Sequence, residues 1–322
     1  MSSAPFGPAR PEPVRWNGQR IGGPEIRGAS PADEKTLQRL FRGSALPPGL
    51  HEPHGPVFAW QGGEPIACLH WVPWAGRMAG ESRTWGQFHG GWVHPNWRYG
   101  QGGGGLLGQM VRFAQARPGL GAVFRLQRTG GRSRTRQALL CEPHSPLWQL
   151  ALPVTGWAGG APLQHIHIQP FRALPWLAEV GAQALRTQPA GVQPGLVELR
   201  RAPREGSLLV SLAEQTGWAR LAPLAPGRAL IADLCVLPGA PAAATLKTLL
   251  HGLASAARER EWLQVEAHVS HGHPLFAFAL EHGLPVSASP WTLEIGVPGG
   301  DPPLPGQVRL IASETMGIAA FE

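Results

Sequence analysis

Two segments of this chain repeat one pattern, and an internal repeat constrains the fold more strongly than any other feature of the sequence. Residues 93–107 and 236–250 align without a gap, since each begins with Val-x-Pro after an apolar run and ends with Leu-Leu. The run before each segment is typical of a strand, and the apolar spacing after it is typical of an amphipathic helix. The sequence therefore predicts one α/β unit that occurs twice in tandem.

Apolar periodicity extends this order over both halves of the chain. A short strand near Ile26 leads to a helix with Ser30 as N-cap and Pro31 at its first position. Further strands are predicted at 57–60, 65–72, 85–93, 121–127 and 146–154, then at 163–170, 207–214, 217–224, 229–237, 262–269 and 291–297. Helices are predicted from Leu106 to the Pro118-Gly119 stop and at 174–185, 246–257 and 274–282. In the strand at 262–269, Leu263, Val265, Ala267 and Val269 share one face.

Composition bounds the number and extent of the domains. A chain of 322 residues that is 43% hydrophobic can bury one large or two ordinary cores. We expect a flexible tail at 1–20, a first domain at 21–156 and a second at 163–322, joined by the Gly-rich segment 155–162.

Hydropathy and cysteine usage indicate a compartment. No apolar run approaches the ~18 residues of a membrane span, and the first residues lack the apolar core of a secretion signal. Cys68, Cys141 and Cys235 are scattered without metal-binding spacing, which favours buried thiols in a reducing environment. We therefore expect a cytoplasmic protein that does not insert into a membrane.

The net charge of +7 is concentrated in residues 1–161, whereas residues 162–322 hold slightly more acidic than basic residues. The first half thus suits a polyanionic ligand, and a solvated basic surface is the alternative. Five arginines lie in the stretch 125–137. We expect them either to contact phosphates or an acidic partner, or to line a solvated loop. No aromatic residue interleaves them after Arg125, which disfavours a nucleic-acid surface.

Four consecutive glycines, Gly102 to Gly105, stand between the predicted strand at 85–93 and the helix that begins near Leu106. A glycine-rich turn lets backbone N–H groups approach a ligand, and the helix N-terminus adds positive potential, so this arrangement favours phosphate or pyrophosphate. The stretch lacks the Gly-Lys-Ser/Thr of a P-loop and the early glycine fingerprint of dinucleotide-binding folds.

These residues resemble the GNAT superfamily of acyl-CoA-dependent N-acyltransferases. In that family a V-x-P-x-x-R/Q element ends the fourth strand, and a glycine-rich loop and a helix that begins near Leu-Leu follow it. Val93, Pro95, Arg98 and Leu106 are in register with this pattern. The strict register gives Arg98, Gln101 and Gly103 for the loop, and a shift by one residue gives Tyr99, Gly102 and Gly104.

The resemblance implies an α/β (α+β) protein of two GNAT-like units, each a mixed, mostly antiparallel sheet flanked by helices. It implies acetyl-CoA as co-substrate and an amine, not identified by any motif, as acceptor. The residues that it assigns to the coenzyme are Trp92, Val93, Arg98, Tyr99, Gly100, Gln101, Gly102, Gly103, Gly104, Gly105 and Leu106. In the second half Pro241 and the alanines that follow replace the arginine and the glycines, so we expect one coenzyme per chain, held by the first half.

His89 is the candidate catalytic base because an amine must lose its proton to attack a thioester. It lies four residues before Val93, on the strand where several enzymes of the family carry a base at that offset. Even spacing in a regular strand would place His89, Gln87 and Val93 on one face, unless Gly90-Gly91 introduces a bulge. A packed, hydrogen-bonded histidine is the alternative.

The family's usual acid, a late tyrosine, has no counterpart in this sequence. Tyr99, Cys141 and water are the candidates to protonate the departing thiolate, since Tyr99 is the one tyrosine of the chain.

Two histidine pairs, His165-x-His167 and His271-x-His273, lack convergent further ligands, so no metal is expected. Asp233 is expected to bond a neighbouring backbone group or an arginine. The sequence thus favours an N-acyltransferase, with a non-catalytic coenzyme-binding protein and an interaction scaffold as alternatives. It does not indicate the oligomeric state.

Overall fold

The computed structural model describes residues 24–41, 50–51, 55–97, 105–128, 142–155, 165–192, 199, 205–238, 242–298 and 300–312. Its helices are α1 (Glu34–Leu40), α2 (Gly105–Gln115), α3 (Pro175–Leu185), α4 (Ala242–Glu259) and α5 (Pro274–Glu281). The first-half strands are β1 (Glu25–Gly28), β2 (Val57–Gln61), β3 (Glu64–Met78), β4 (Glu81–Val93), β5 (Leu120–Arg128) and β6 (Glu142–Pro153). The others are β7 (Ile166–Pro170), β8 (Ala190–Val192), β9 (Leu208–Leu212), β10 (Gly217–Ala225), β11 (Arg228–Val236), β12 (Gln264–Val269), β13 (Val286–Gly296), β14 (Val308–Arg309) and β15 (Ile311–Ala312).

All of these strands join one mixed, mostly antiparallel sheet. Its main path runs β1-β2-β3-β4-β5-β13-β6-β12-β11-β10-β9-β7. Five strands flank the central β13–β6 pair on each side, and each flank contains one parallel pair, β4 with β5 and β11 with β12. The predicted α/β class and the mostly antiparallel sheet are therefore confirmed.

The two central strands are exchanged between the halves of the chain. β13, from the second half of the chain, pairs with β5 over Trp291–Gly296. β6, from the first half, pairs through residues 148–153 with the whole of β12. Sheet hydrogen bonds thus cross the predicted boundary at 156–163, and the division into two domains stays a prediction. A consequence is that the first half cannot complete its own sheet without residues of the second.

In each flank of the sheet, helices cover both faces. α2 buries Leu106, Met110, Val111 and Ala114 against the face of β2 to β5, and α4 and α5 bury a larger apolar cluster against β10 to β12. α1 and α3 each cover the reverse face at an outer edge. A further cluster fills that reverse face in the centre and joins the two flanks through Trp85, Phe124 and Leu230.

Three sequence expectations are corrected by the structure. Leu263 is 85% exposed, because it lies in the turn that precedes β12, and the strand begins only at Gln264. In that turn the Leu263 N–H donates to the Gly227 carbonyl. β13 begins five residues before the predicted strand at 291–297. Helix α4 begins at Ala242 rather than Leu246, since alanine is the best helix former and the replaced loop simply becomes the first helical turn.

Gly86 permits the close packing of Trp71 in the middle of the first-half sheet. A Cβ at Gly86 would lie 1.9 Å from two atoms of the fully buried Trp71 ring. Gly86→Ala should therefore lower the free energy of unfolding by about 1–3 kcal/mol through overpacking. Gly108 of α2 is the matched control, because a Cβ there meets only the end of Arg112 at 3.8 Å. Gly108→Ala should raise stability by about 0.5–1 kcal/mol, and urea denaturation that ranks the two variants the other way would contradict this packing argument.

Candidate functional site

The parallel strands β4 and β5 are hydrogen-bonded only near their beginnings. Pairing runs from Thr84 with Leu120 to Gln87 with Phe124, and then ends. Beyond that point β4 pairs with β3, and β5 pairs with β13. The two strands therefore part beyond Gln87 and Phe124, and no other described strand lies between their facing edges. We call this opening, between residues 88–93 and 125–128, the first split.

A β-bulge lies where the first split begins. His70 pairs with Gly90 and the next residue, Trp71, pairs with Phe88, so His89 is the extra residue on β4. A bulge leaves the extra residue out of the ladder and bends the strand. The structure describes only the backbone of His89, and this backbone lies at the mouth of the first split.

The bulge reverses which side chains face helix α2. Phe88 before it and Val93 after it both pack into the cluster under α2, although they are five positions apart, an odd number that would place them on opposite faces of a regular strand. Gln87 lies on the reverse face, where its Oε1 accepts a hydrogen bond of 2.8 Å from Trp74 Nε1. The expectation that Gln87 and Val93 share a face is therefore wrong, because strict alternation holds only in a regular ladder.

Helix α2 begins directly beside β4. Gly105, its first residue, has φ +45°, a left-handed conformation that favours glycine. A Cβ at Gly91 would lie 3.1 Å from Leu107 Cδ1, so glycine also lets the first turn of the helix approach the strand. No acidic residue occupies that first turn, which carries the positive end of the helix dipole.

Four of the residues assigned to the coenzyme lie in the described part of the chain, and the structure brings them to this edge. Trp92 and Val93 end β4, and Gly105 and Leu106 begin α2. The other seven residues, Arg98, Tyr99, Gly100, Gln101, Gly102, Gly103 and Gly104, lie outside the described residues. Their roles, like the catalytic roles of His89 and Tyr99, remain predictions.

The turn between β4 and the assigned loop is fixed by His94, which the sequence argument did not single out. His94 is 4% exposed, and its Nδ1 accepts a hydrogen bond of 3.3 Å from the Asn96 N–H. Its ring meets the Trp92 ring edge to face, with centroids 6.1 Å apart. A histidine at the middle position of Val-x-Pro gives no distinct pattern, so only the fold shows this contact.

A buried ion pair anchors the other wall of the first split. Arg125 of β5 and Glu294 of β13 lie 2.5 Å apart from Nε to Oε2, with both side chains about 95% buried. Arg125 is therefore not part of a solvated loop, and at least one carboxylate already engages it. The arginines at 132, 134 and 136 lie outside the described residues.

Glu294→Gln should destabilise the protein by about 3 kcal/mol, because it deprives the buried Arg125 guanidinium of a carboxylate partner. The exposed Arg83–Glu81 pair, with 43% and 67% of its side chains accessible, provides the control. Glu81→Gln should change stability by less than about 1 kcal/mol. Equal effects of the two changes in thermal unfolding would show that the Arg125 pair does not tie β13 to β5.

The corresponding opening in the second half is filled by the chain itself. β11 and β12 pair only from Arg228 with Gln264 to Leu230 with Glu266, and then part. Beyond this point β15 pairs with β12 at Val269 and His268. The Ser270 N–H donates to the Leu310 carbonyl at 2.9 Å, which extends this seal towards β14. We call this opening the second split.

Asp233 and two buried cysteines lie outside the first split. Asp233 pairs with Arg220 at 2.5 Å inside the sheet, so the expectation of an arginine partner is confirmed. Cys68 and Cys235 are buried, and burial raises the pKa of each thiol to about 12. Both thiols are therefore protonated at neutral pH. Cys141 lies outside the described residues.

The described residues contain neither a metal-binding cluster nor a helix that could span a membrane. No group of three or more His, Cys, Asp or Glu side chains in this part of the chain is placed to hold a metal ion. No helix within it is both long and apolar enough to cross a membrane.

No protein-family model matches the sequence, and no curated protein matches it either. Solved structures do match. A GCN5-related N-acetyltransferase from Kribbella flavida aligns with a TM-score of 0.57 at 12% identity, over 85% of this chain and 72% of that one. A probable N-acyltransferase from Enterococcus faecalis aligns with 0.58 at 12% identity, over 86% and 73%. Eis1 from Mycobacterium abscessus aligns with 0.56 at 13% identity, over 91% and 83%. The chain therefore has the fold of the GCN5-related N-acetyltransferases.

Proposed function

We propose that this protein transfers an acyl group from acyl-CoA, acetyl-CoA in the first instance, to the amine of an acceptor. One observation carries the proposal: of the two strand splits, the first is bordered by a helix N-terminus and a glycine-rich segment, and the second is filled by residues 308–312. The likeness to N-acetyltransferase structures supports the same reading at the level of the fold.

The first split suits the elongated, amide-containing arm of coenzyme A. Phe88 to Val93 present one backbone edge that β5 does not occupy, and an extended ligand can pair with such an edge as an added strand would. The pyrophosphate then belongs at the start of α2, where the first turn carries the positive end of the helix dipole. Trp92, Val93, Gly105 and Leu106 border this path.

The bulge supports chemistry at the thioester. His89 is the extra residue on β4, so the ladder with β3 is interrupted beside it. In this proposal a backbone N–H of the bulge polarises the thioester carbonyl. Attack by the amine then displaces the thiolate of coenzyme A. In this proposal His89 takes the amine proton and Tyr99, Cys141 or water protonates the thiolate.

The direct test is release of free coenzyme A thiol from acetyl-CoA, measured over a panel of small amines and amine-bearing peptides. Release that depends on both acetyl-CoA and an amine, with the acylated amine identified by mass spectrometry, is the expected result. Tight acetyl-CoA binding without release for any amine would favour the second candidate, a non-catalytic coenzyme-binding protein. Absence of binding would leave the interaction scaffold.

A further inference from the structure

A cavity remains inside the second split next to the residues that fill it. It has a volume of about 140 Å³ and lies between the end of β11, the end of α3 and the first turns of α4 and α5. Its lining is largely apolar, with Leu234, Val236, Pro238 and Leu246 on the β11 and α4 side. Thr187, an exposed residue just after α3, lies on its rim.

Arg309 places a positive charge in this cavity. Its side chain is almost fully buried, at 3% exposure, and lines the cavity wall. Nη1 donates to the Ala184 carbonyl at 2.9 Å, and Nε has no hydrogen-bond partner among the described residues. None of the ion pairs in this part of the chain includes Arg309.

The buried charge of Arg309 destabilises the folded protein when the cavity is empty. Burial lowers the pKa of Arg309, and the neighbouring Cys235 thiol stays neutral because burial also raises its pKa. A buried guanidinium without an anion loses its hydration and gains little in return. An anion that entered the cavity and contacted the guanidinium would compensate its charge.

We infer that the cavity binds a small monocarboxylate whose carboxylate meets Arg309 and whose short apolar tail packs on Leu234, Val236 and Leu246. The volume sets the size, since an apolar cavity of about 150 Å³ holds a molecule of about six carbon atoms. Butyrate, with about as many heavy atoms, is the appropriate probe. A phosphate dianion would find one cation and a mainly apolar wall, so it is disfavoured.

This site is separate from the first split and does not depend on the proposed acyl transfer. It is also too small for coenzyme A, which agrees with one coenzyme per chain.

Calorimetry on the full chain at constant ionic strength tests the inference with sodium butyrate, butyramide and sodium phosphate. Butyrate should bind at one site per chain, and butyramide and phosphate should bind at least tenfold more weakly, because one lacks the charge and the other the apolar tail. Failure of butyrate to bind, or equal binding of butyramide, would overturn the inference. Tighter binding of phosphate would also overturn it.

Two variants locate the site. Arg309→Met should weaken butyrate at least tenfold, and Thr187→Trp should do the same by filling the rim without touching the core. Gln183→Trp is the matched control, since Gln183 is exposed on α3 and does not line the cavity. If Arg309→Met fails to fold, the comparison of Thr187→Trp with Gln183→Trp tests the site on its own. Butyrate binding that is unchanged in Thr187→Trp places the ligand elsewhere and overturns the inference.

Discussion

Replacing His89 with glutamine is expected to lower turnover about 100- to 10,000-fold, the loss typical of a removed acid–base group. The reason is positional: His89 is the bulged residue of β4, at the mouth of the first split, where the proposed reaction would bring the amine to the thioester. Wild-type turnover should rise with pH as the base loses its proton, and this rise should vanish in the variant. Acetyl-CoA affinity, measured by calorimetry, should change little.

His165→Gln is the matched control, because His165 is exposed just before β7, an edge strand of the other flank. Its turnover and pH profile should equal those of the wild type. If His89→Gln also keeps wild-type turnover and an unaltered pH profile, His89 is not the base. In that case the bulge has a structural role only.

Changing Gly103 and Gly104 together to aspartate should abolish acetyl-CoA binding, a loss of at least about 100-fold. Two carboxylates would add negative charge directly before the N-terminus of α2, where the proposed pyrophosphate would otherwise meet backbone amides and the positive helix end. Their side chains would also take the space that glycine leaves for a ligand.

Gly300→Asp controls for the added negative charge, since Gly300 is exposed and a Cβ there touches only Val297 at 3.4 Å. It should bind acetyl-CoA as the wild type does. Unchanged affinity in the Gly103 and Gly104 double variant, with its fold intact by circular dichroism, would rule out this segment as the pyrophosphate site.

Local pattern was sufficient for the elements that border the first split. Short-range apolar periodicity predicts a strand that ends in Val-x-Pro. It also predicts a helix that buries Leu106, Met110 and Ala114. Both elements lie where the pattern predicts them. A partner for Asp233, either a backbone group or an arginine, could be predicted because a buried carboxylate requires one, and the structure shows Arg220 in this place.

Long-range pairing could not be predicted in this way. Arg125 and Glu294 are 169 positions apart, and nothing near either residue shows that β13 lies beside β5. The bulge at His89 was suggested by Gly90-Gly91, but its effect on which side chains face α2 depends on the register with β3.

The residues that fill the second split gave no signal either. β14 and β15 are two residues long each, too short for any periodicity, and tertiary contacts alone place β14 against β8 and β15 against β12. From Pro241 and the alanines, the sequence predicts that the second half holds no coenzyme, and this stays a prediction. The pairing of β15 with β12 in the second split agrees with it.

The stoichiometry of acetyl-CoA binding to the full chain tests the central claim most directly, namely that the first split is open to a coenzyme and the second is not. Calorimetric titration should give one acetyl-CoA per chain, and this binding should be lost in the Gly103 and Gly104 double aspartate variant. Two acetyl-CoA per chain would show that residues 308–312 do not close the second split, and no binding at all would contradict the coenzyme site in the first.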